Sequence, residues 1–330
     1  MNRTKILIIR FSSIGDIVLT TPIVRALKNC VKNVELHYLT KPENETLLKN
    51  NKYIDKLHLL KNDLSETTDE LSKEEFGYVV DLQKNLRSLR IKKALGVRAS
   101  SFPKLNIRKW LFVNLKLQCM PAIHIVDRYF EAVRDLEVVN DGKGLDYFLQ
   151  EADFVDCETL PAGFQSGYVA CVVGSKHATK QMPTDLMADL CRKIQKPIIL
   201  LGGKGDRDKA AIIGQQVGAK VFNACGNYNI NQSAYLVKNA LGIITPDTGL
   251  MHIAAAFDKN IVAVWGNTVP QFGMYPYRAA NAKGKTYNFE VKNLHCRPCS
   301  KLGYAECPKK HFRCMLGQDT DKIAEIANEW

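Results

Sequence analysis

The chain has 330 residues, 46% of them apolar and 24% charged, with a formal charge of +12. That length suits two domains of about 150 residues better than one, and no apolar run approaches the roughly 18–20 residues that span a bilayer. A transmembrane helix is therefore excluded, and the basic excess calls for an anionic partner.

Residues 5–10 (Lys5-Ile6-Leu7-Ile8-Ile9-Arg10) read as a buried strand. They are too short for a signal-peptide core and are closed by Arg10, so a cytoplasmic protein is expected. A small-residue turn, Phe11-Ser12-Ser13-Ile14-Gly15-Asp16, follows, and then helical spacing whose helix proper begins near Pro22, because proline suits a first turn. Residues 34–39, 55–60 and 78–82 read as further strands, with a helix start at Pro42 and an amphipathic helix over 126–136. Residues 142–167 lack periodicity and read as the linker, which divides the chain into domains 1–157 and 158–330. The C-terminal helix is expected to return to the first domain. Strands at 168–173, 197–201, 220–223, 241–245 and 261–265 alternate with helices at 184–194, 207–217 and 231–238. Strand-helix alternation in both halves predicts an α/β fold with parallel sheets, with ligands at the carboxyl ends of the strands.

Three loops of the second half fall at such ends. One is Gly174-Ser175-Lys176-His177-Ala178-Thr179-Lys180, another spans Gly202 to Asp206, and the third is Asp247-Thr248-Gly249-Leu250-Met251-His252. Lys176 and Lys180 are cationic donors for phosphate. Thr248 can cap the helix that the third loop opens, and Gly249 lets a ligand approach backbone N–H groups at its positive end. Asp206 can accept from ribose hydroxyls. The pattern is nucleotide-shaped without a P-loop or a G-x-G-x-x-G after the first strand. In the first half, Asp16 is either a helix cap or, if it faces the ligand, a general base for a hydroxyl nucleophile. His252 is either packed on its helix or in contact with substrate. Asp206-x-Asp208 and Asp319-x-Asp321 are chance spacings, and no metal is expected in catalysis.

Together these segments resemble glycosyltransferase family 9, the ADP-heptose:lipopolysaccharide heptosyltransferases. The matching pieces are Arg10-x-x-x-x-Gly15-Asp16-Ile17-Val18-Leu19-Thr20-Thr21-Pro22, Asp81-Leu82-Gln83, Leu200-Leu201-Gly202-Gly203, and Pro246-Asp247-Thr248-Gly249-Leu250-Met251-His252 with the four residues after it. The resemblance implies a GT-B architecture of two Rossmann-like domains, acceptor on the first and nucleotide sugar on the second, and inverting transfer without a metal. It makes Asp16 the base and Lys180 the support of the leaving diphosphate. Ser175, Lys176, Asp206, Asp247, Thr248, Gly249 and His252 become the nucleotide-sugar set, and Ser12, Ser13, Gly15, Arg87 and Arg90 the acceptor set. The loop at 174–178 departs from the family's usual His-Pro-Gly-Ala type, and no aromatic precedes Pro183, so nucleobase and sugar stay open with ADP-heptose favoured.

From residue 82 to 126 there are ten Lys or Arg residues and no Asp or Glu. This suits an anionic lipopolysaccharide core acceptor and peripheral contact with the cytoplasmic face of the inner membrane. A nucleic-acid-binding protein is the competing reading, without a recognised motif to support it; a sugar-nucleotide-binding protein without catalysis is another. Ten cysteines are present, the last four as Cys296-x-x-Cys299 followed by Cys307 and Cys314, near His295 and His311. One pair has zinc spacing, and structural zinc, reduced packing thiols and disulfides all remain open there.

Overall fold

The computed structural model describes residues 4–330, which form two compact units. The first comprises the chain up to Lys104 together with Ile123–Phe148, and the second comprises Leu105–Ala122 together with Leu149–Trp330. The boundary falls earlier than the 157/158 read from the sequence because residues after 148 have partners in the second unit. Asp153 accepts from Asn231 Nδ2 at 3.2 Å, and Phe154 stacks on Tyr235 with ring centroids 4.8 Å apart. The 105–122 segment likewise packs Phe112 with Val269 and Phe272.

The first unit holds β1 (Thr4–Ile9), β2 (Val34–Thr40), β3 (Lys56–Leu59), β4 (Tyr78–Asp81) and β5 (Ala99–Ser101), all parallel, in the order β3-β2-β1-β4-β5. Ile6, Leu7, Ile8 and Ile9 are wholly buried, as a central parallel strand covered on both faces requires. The order reverses at β1, whose neighbours β2 and β4 lie on opposite sides. Pro22 stands in the first turn of the helix Thr21–Cys30, as its fixed φ favours. From that helix the buried Arg25 forms ion pairs with Asp141, at 2.8 Å, and with Asp146, which tie residues 141–146 to the unit. The helix expected over 126–136 is α-helical only over Ile125–Phe130 and tightens to 3₁₀ over Glu131–Leu136.

The second unit holds β6 (Val169–Val172), β7 (Ile198–Leu201), β8 (Val221–Asn223), β9 (Gly242–Pro246), β10 (Asn260–Trp265) and β11 (Thr286–Glu290), again parallel, in the order β11-β10-β9-β6-β7-β8. Here the order reverses between β6 and β9. The terminal helix Thr320–Asn328 finds support in this unit. Thr320 donates to Asp189 at 2.8 Å and accepts from Lys193 at 2.8 Å, and Asn328 donates to the Lys193 carbonyl at 3.2 Å. A Cβ on Gly242 would lie 2.3 Å from the Trp330 ring, so the last residue of the chain packs on the backbone of β9.

Candidate active site

In the first unit the turn after β1 and the loop after β4 lie side by side, at the reversal of strand order where α/β sheets bind ligands. Arg10 ends the hydrophobic run of β1 and is itself buried. Its Nη1 donates to the Leu82 carbonyl, its Nε to the Ser12 carbonyl at 2.8 Å, and its Nη2 pairs with Asp16 Oδ1 at 2.7 Å. Phe11 N–H donates to Gln83 Oε1 at 2.9 Å, a second tie between the same loops. Asp16 belongs to the short helix Ile14–Val18, and its Oδ2 accepts from Ser13 N–H at 3.0 Å and Ser13 Oγ at 2.9 Å. The capping role and the carboxylate's readiness as a base therefore coexist. Of about four acceptor sites on a carboxylate, three are filled, and a side chain 20% exposed leaves the fourth open to a hydroxyl. Burial pushes the Asp16 carboxyl up, but the Arg10 guanidinium and the two Ser13 donors outweigh it and hold it below its ordinary value. Asp16 is thus ionised and oriented.

The second unit repeats the placement. The loop after β6 and the turn after β9 meet where that sheet reverses. Lys180 Nζ pairs with Asp247 Oδ2 at 2.6 Å, and Thr268 Oγ1, from the loop after β10, donates to the same oxygen at 3.1 Å. Asp247 therefore serves as counter-ion to Lys180 and directs its ammonium. Thr248 occupies the N-cap position of the helix Gly249–Ala256, but no side-chain cap bond forms, since its hydroxyl bonds with Thr245 Oγ1 at 2.9 Å. That corrects the expected cap. With the side chain turned away, the positive end of the helix remains available to an anion beside Lys180. Residue 180 is splinted from behind, where Thr179 N–H donates to the Tyr304 carbonyl at 3.2 Å and Tyr304 N–H donates to Thr179 Oγ1 at 2.8 Å.

Asp206 turns inward and accepts from Gly203 N–H at 2.8 Å, and a Cβ on Gly174 would lie 2.1 Å from its Oδ2. The loops at 174 and 202–206 are therefore in van der Waals contact only because residue 174 is glycine. Ser175 supplies its carbonyl to Gln181 Nε2 at 2.8 Å, while Lys176 is exposed. His252 is buried on its helix. Gly15 is buried in the helix Ile14–Val18 beside Asp16, and Arg87 and Arg90 are exposed on the helix Leu86–Leu95. Arg10 and Thr268 received no role from the sequence. Arg10 stood in the motif as the polar end of a hydrophobic strand, a signal that a buried charge is needed there, whereas nothing local marks Thr268.

The four late cysteines share one neighbourhood. Cys296 Sγ lies 3.7 Å from His311 Nε2, and Cys299 Sγ donates to the Cys296 carbonyl at 3.0 Å. Burial pushes the Cys299 thiol up to about 12 and Cys314 to about 11. A tetrahedral zinc site with bonds of about 2.3 Å holds its sulfurs within about 4 Å of one another. Among the described residues, the set that brings three potential ligand atoms within 4.8 Å is instead His37, His58 and Glu74. The thiols as placed do not make a closed cage. The His37 set is a hydrogen-bonded core: His37 Nδ1 lies 2.9 Å from His58 Nε2, His37 Nε2 lies 2.9 Å from Glu35, and Lys5 and Lys56 occupy Glu74.

With both switch-point sites described, the likeness to known proteins is specific. The family model for glycosyltransferase family 9 (heptosyltransferase) matches residues 66–303. The chain belongs to glycosyltransferase family 9. A lipopolysaccharide heptosyltransferase 1 from Campylobacter coli is 24% identical over 292 residues, which cover 80% of this chain and 84% of that protein. An Escherichia coli ADP-heptose lipopolysaccharide heptosyltransferase II superposes with a TM-score of 0.73 at 16% identity, covering 99% of this chain and 98% of that one. An Escherichia coli heptosyltransferase solved with ADP gives 0.66 at 17% identity, covering 99% of both chains. The family 9 chain is accordingly a glycosyltransferase of the heptosyltransferase class, and its two parallel-sheet units are those of the GT-B fold.

Proposed function

We propose that this family 9 enzyme transfers a heptose from ADP-heptose to the core of a lipopolysaccharide acceptor, with inversion at the anomeric carbon and without a metal in the chemistry. The reading is carried by the second unit, where Lys180, held by Asp247 and Thr268, stands beside a helix start whose cap side chain is turned away. A lysine and a helix N-terminus together supply the charge stabilisation that a departing diphosphate needs. On the acceptor side, the hydroxyl oxygen forms its bond to the anomeric carbon as the bond from that carbon to the phosphate oxygen breaks. The hydroxyl proton passes to Asp16 and the electron pair leaves with ADP. Attack opposite the leaving group in one displacement inverts the centre. Peripheral contact with the inner membrane face, from the cytoplasm, follows from a lipid-anchored acceptor. No specific nucleic-acid partner is part of this function.

The test is direct. Purified protein, ADP-heptose and a heptose-less lipopolysaccharide core should yield an acceptor heavier by one heptose and free ADP, undiminished by EDTA. Nuclear magnetic resonance of the product should give the inverted linkage. Donor binding without transfer to that acceptor would reduce the protein to a sugar-nucleotide-binding module. Transfer lost to EDTA and restored by a divalent ion would overturn metal independence. A structural zinc on Cys296, Cys299, Cys307 and Cys314 would require these thiols to close up and lose their protons, and metal analysis of the same preparation reads it.

A further inference from the structure

The helix Asn106–Leu115 is built with its apolar side outward. At 100° per residue, Ile107, Trp110, Leu111 and Leu115 fall on one stripe. In a globular protein that stripe faces the core. Here Ile107 is 76% exposed, Trp110 57% and Leu115 54%, and Leu117 just beyond the helix is 55% exposed. The helix is not loose, since it is fastened from its other side. Phe112 is buried against Val269 and Phe272, with the two phenyl rings edge-on at 5.8 Å. Lys116 Nζ donates to the carbonyls of Cys296 at 3.1 Å and Pro298 at 2.7 Å. A seated helix that keeps Ile, Trp and Leu side chains in water needs a partner for them.

Charge selects the partner. Arg108 flanks the stripe, and no acidic residue occurs anywhere from 82 to 126. A second copy of this chain would bring the same basic surface against itself across a two-fold axis, with like charges opposed. A nucleic acid would satisfy the cations but not the aliphatic side chains. An anionic bilayer satisfies both, since basic groups lie at headgroup level and Trp and aliphatic residues enter the acyl boundary. Ten residues of helix extend about 15 Å, too short to cross a membrane, so the helix lies in the surface plane.

We propose that the helix Asn106–Leu115 is a membrane-surface anchor that docks on anionic lipid through Ile107, Trp110 and Leu115, with Arg108 pairing to headgroups. This deepens the peripheral contact included in the proposed function, yet it rests on the helix alone and is tested without any transfer reaction, so either reading can fail without the other. Full-length protein is sedimented with vesicles of phosphatidylcholine alone and of phosphatidylcholine mixed with phosphatidylglycerol. The expected result is capture by the mixed vesicles only, weakened by salt. The double variant I107S/W110S should lose about tenfold or more of that binding with an unchanged melting temperature, because both side chains are exposed. Arg108→Glu should lose about fivefold or more. Tryptophan emission should shift to the blue with mixed vesicles, and W110F should keep sedimentation while losing the shift, because the other two tryptophans, Trp265 and Trp330, are packed elsewhere in the second unit. Equal capture by neutral vesicles, no capture by either, or capture unaffected by I107S/W110S would each overturn the anchor. A wild-type dimer that I107S/W110S converts to monomer, without vesicle binding, would overturn it in favour of a second copy.

Discussion

Each unit places one acid–base pair at the reversal point of its sheet, and the two pairs divide their labour in opposite ways. In the first unit the cation serves the acid. Arg10 is spent on two carbonyls as well as on Asp16, its side chain is 9% exposed, and it cannot leave. In the second unit the acid serves the cation. Asp247 accepts from Thr268 and Lys180, and both members of the pair are 15% exposed. A guanidinium has a fixed fork of donors and suits permanent bracing, whereas an ammonium on a flexible stem can turn from its counter-ion to an arriving phosphate. On the proposed mechanism the working group of each pair, Asp16 or Lys180, is the one whose direction its partner sets.

Substitutions can break this symmetry of roles, beginning with the largest effect. Asp16→Asn removes the base while keeping size and the Ser13 contacts, and transfer should fall about a hundredfold to ten-thousandfold with donor affinity unchanged, measured by initial rates and calorimetric titration of ADP-heptose. Lys180→Ala should cost about a hundredfold to a thousandfold in transfer and, unlike the first variant, should weaken donor binding too. If both variants weakened donor binding equally, the division of labour between the units would be wrong.

Arg10→Met sharpens the comparison through pH. On the proposed mechanism the rate requires ionised Asp16, so it is full above the folded-state pKa of that carboxyl and falls as pH drops through it. Arg10 and Ser13 hold that pKa below the ordinary 3.8, so the acid limb of the wild-type rate lies below that value. Without Arg10, burial acts against a weaker opposition and the limb must move up, together with a loss of about tenfold to a hundredfold from misdirection of the carboxylate. Arg10→Lys, which keeps the charge and loses the fork, should restore the limb more than the rate. A purely structural Arg10 would lower the rate without moving the limb. The smallest effect is reserved for Thr268→Val, which removes one hydrogen bond to Asp247 and should cost about threefold to tenfold in donor affinity.

Much of this arrangement was legible in the sequence because central parallel strands are continuous apolar runs. Ile6 to Ile9 and Ile198 to Leu201 announce themselves, and the small-residue or glycine turns after them mark where ligands sit. The edge strands β5 and β11 escaped because residues such as the half-buried Ser100 and the exposed Asn288 carry no apolar run. The helices Leu64–Ser72 and Leu86–Leu95 bury only two residues each, too few for a periodic signal. Asn106–Leu115 escaped for the reverse reason, since its apolar residues, Trp110 and Phe112 among them, fall on opposite sides and leave no single apolar face to read. In the site, Asp16, Lys180 and Asp247 were visible as charges at strand ends. That Asp247 would face Lys180, and that Thr248 would turn to Thr245, depends on side-chain directions set by residues distant in sequence.

The route of the chain has a consequence for its synthesis. Residues 105–122 leave the first unit's sequence and have their partners in the second, at Val269, Phe272, Cys296 and Pro298. A ribosome makes those partners roughly 160 to 180 residues later, at about 5–20 residues per second. The first unit can close as soon as residue 148 has emerged, while the helix that interrupts its sequence waits for many seconds with Phe112 uncovered on one side and Ile107 and Trp110 on the other. For that interval the nascent chain carries an apolar, basic segment whose own seat does not yet exist.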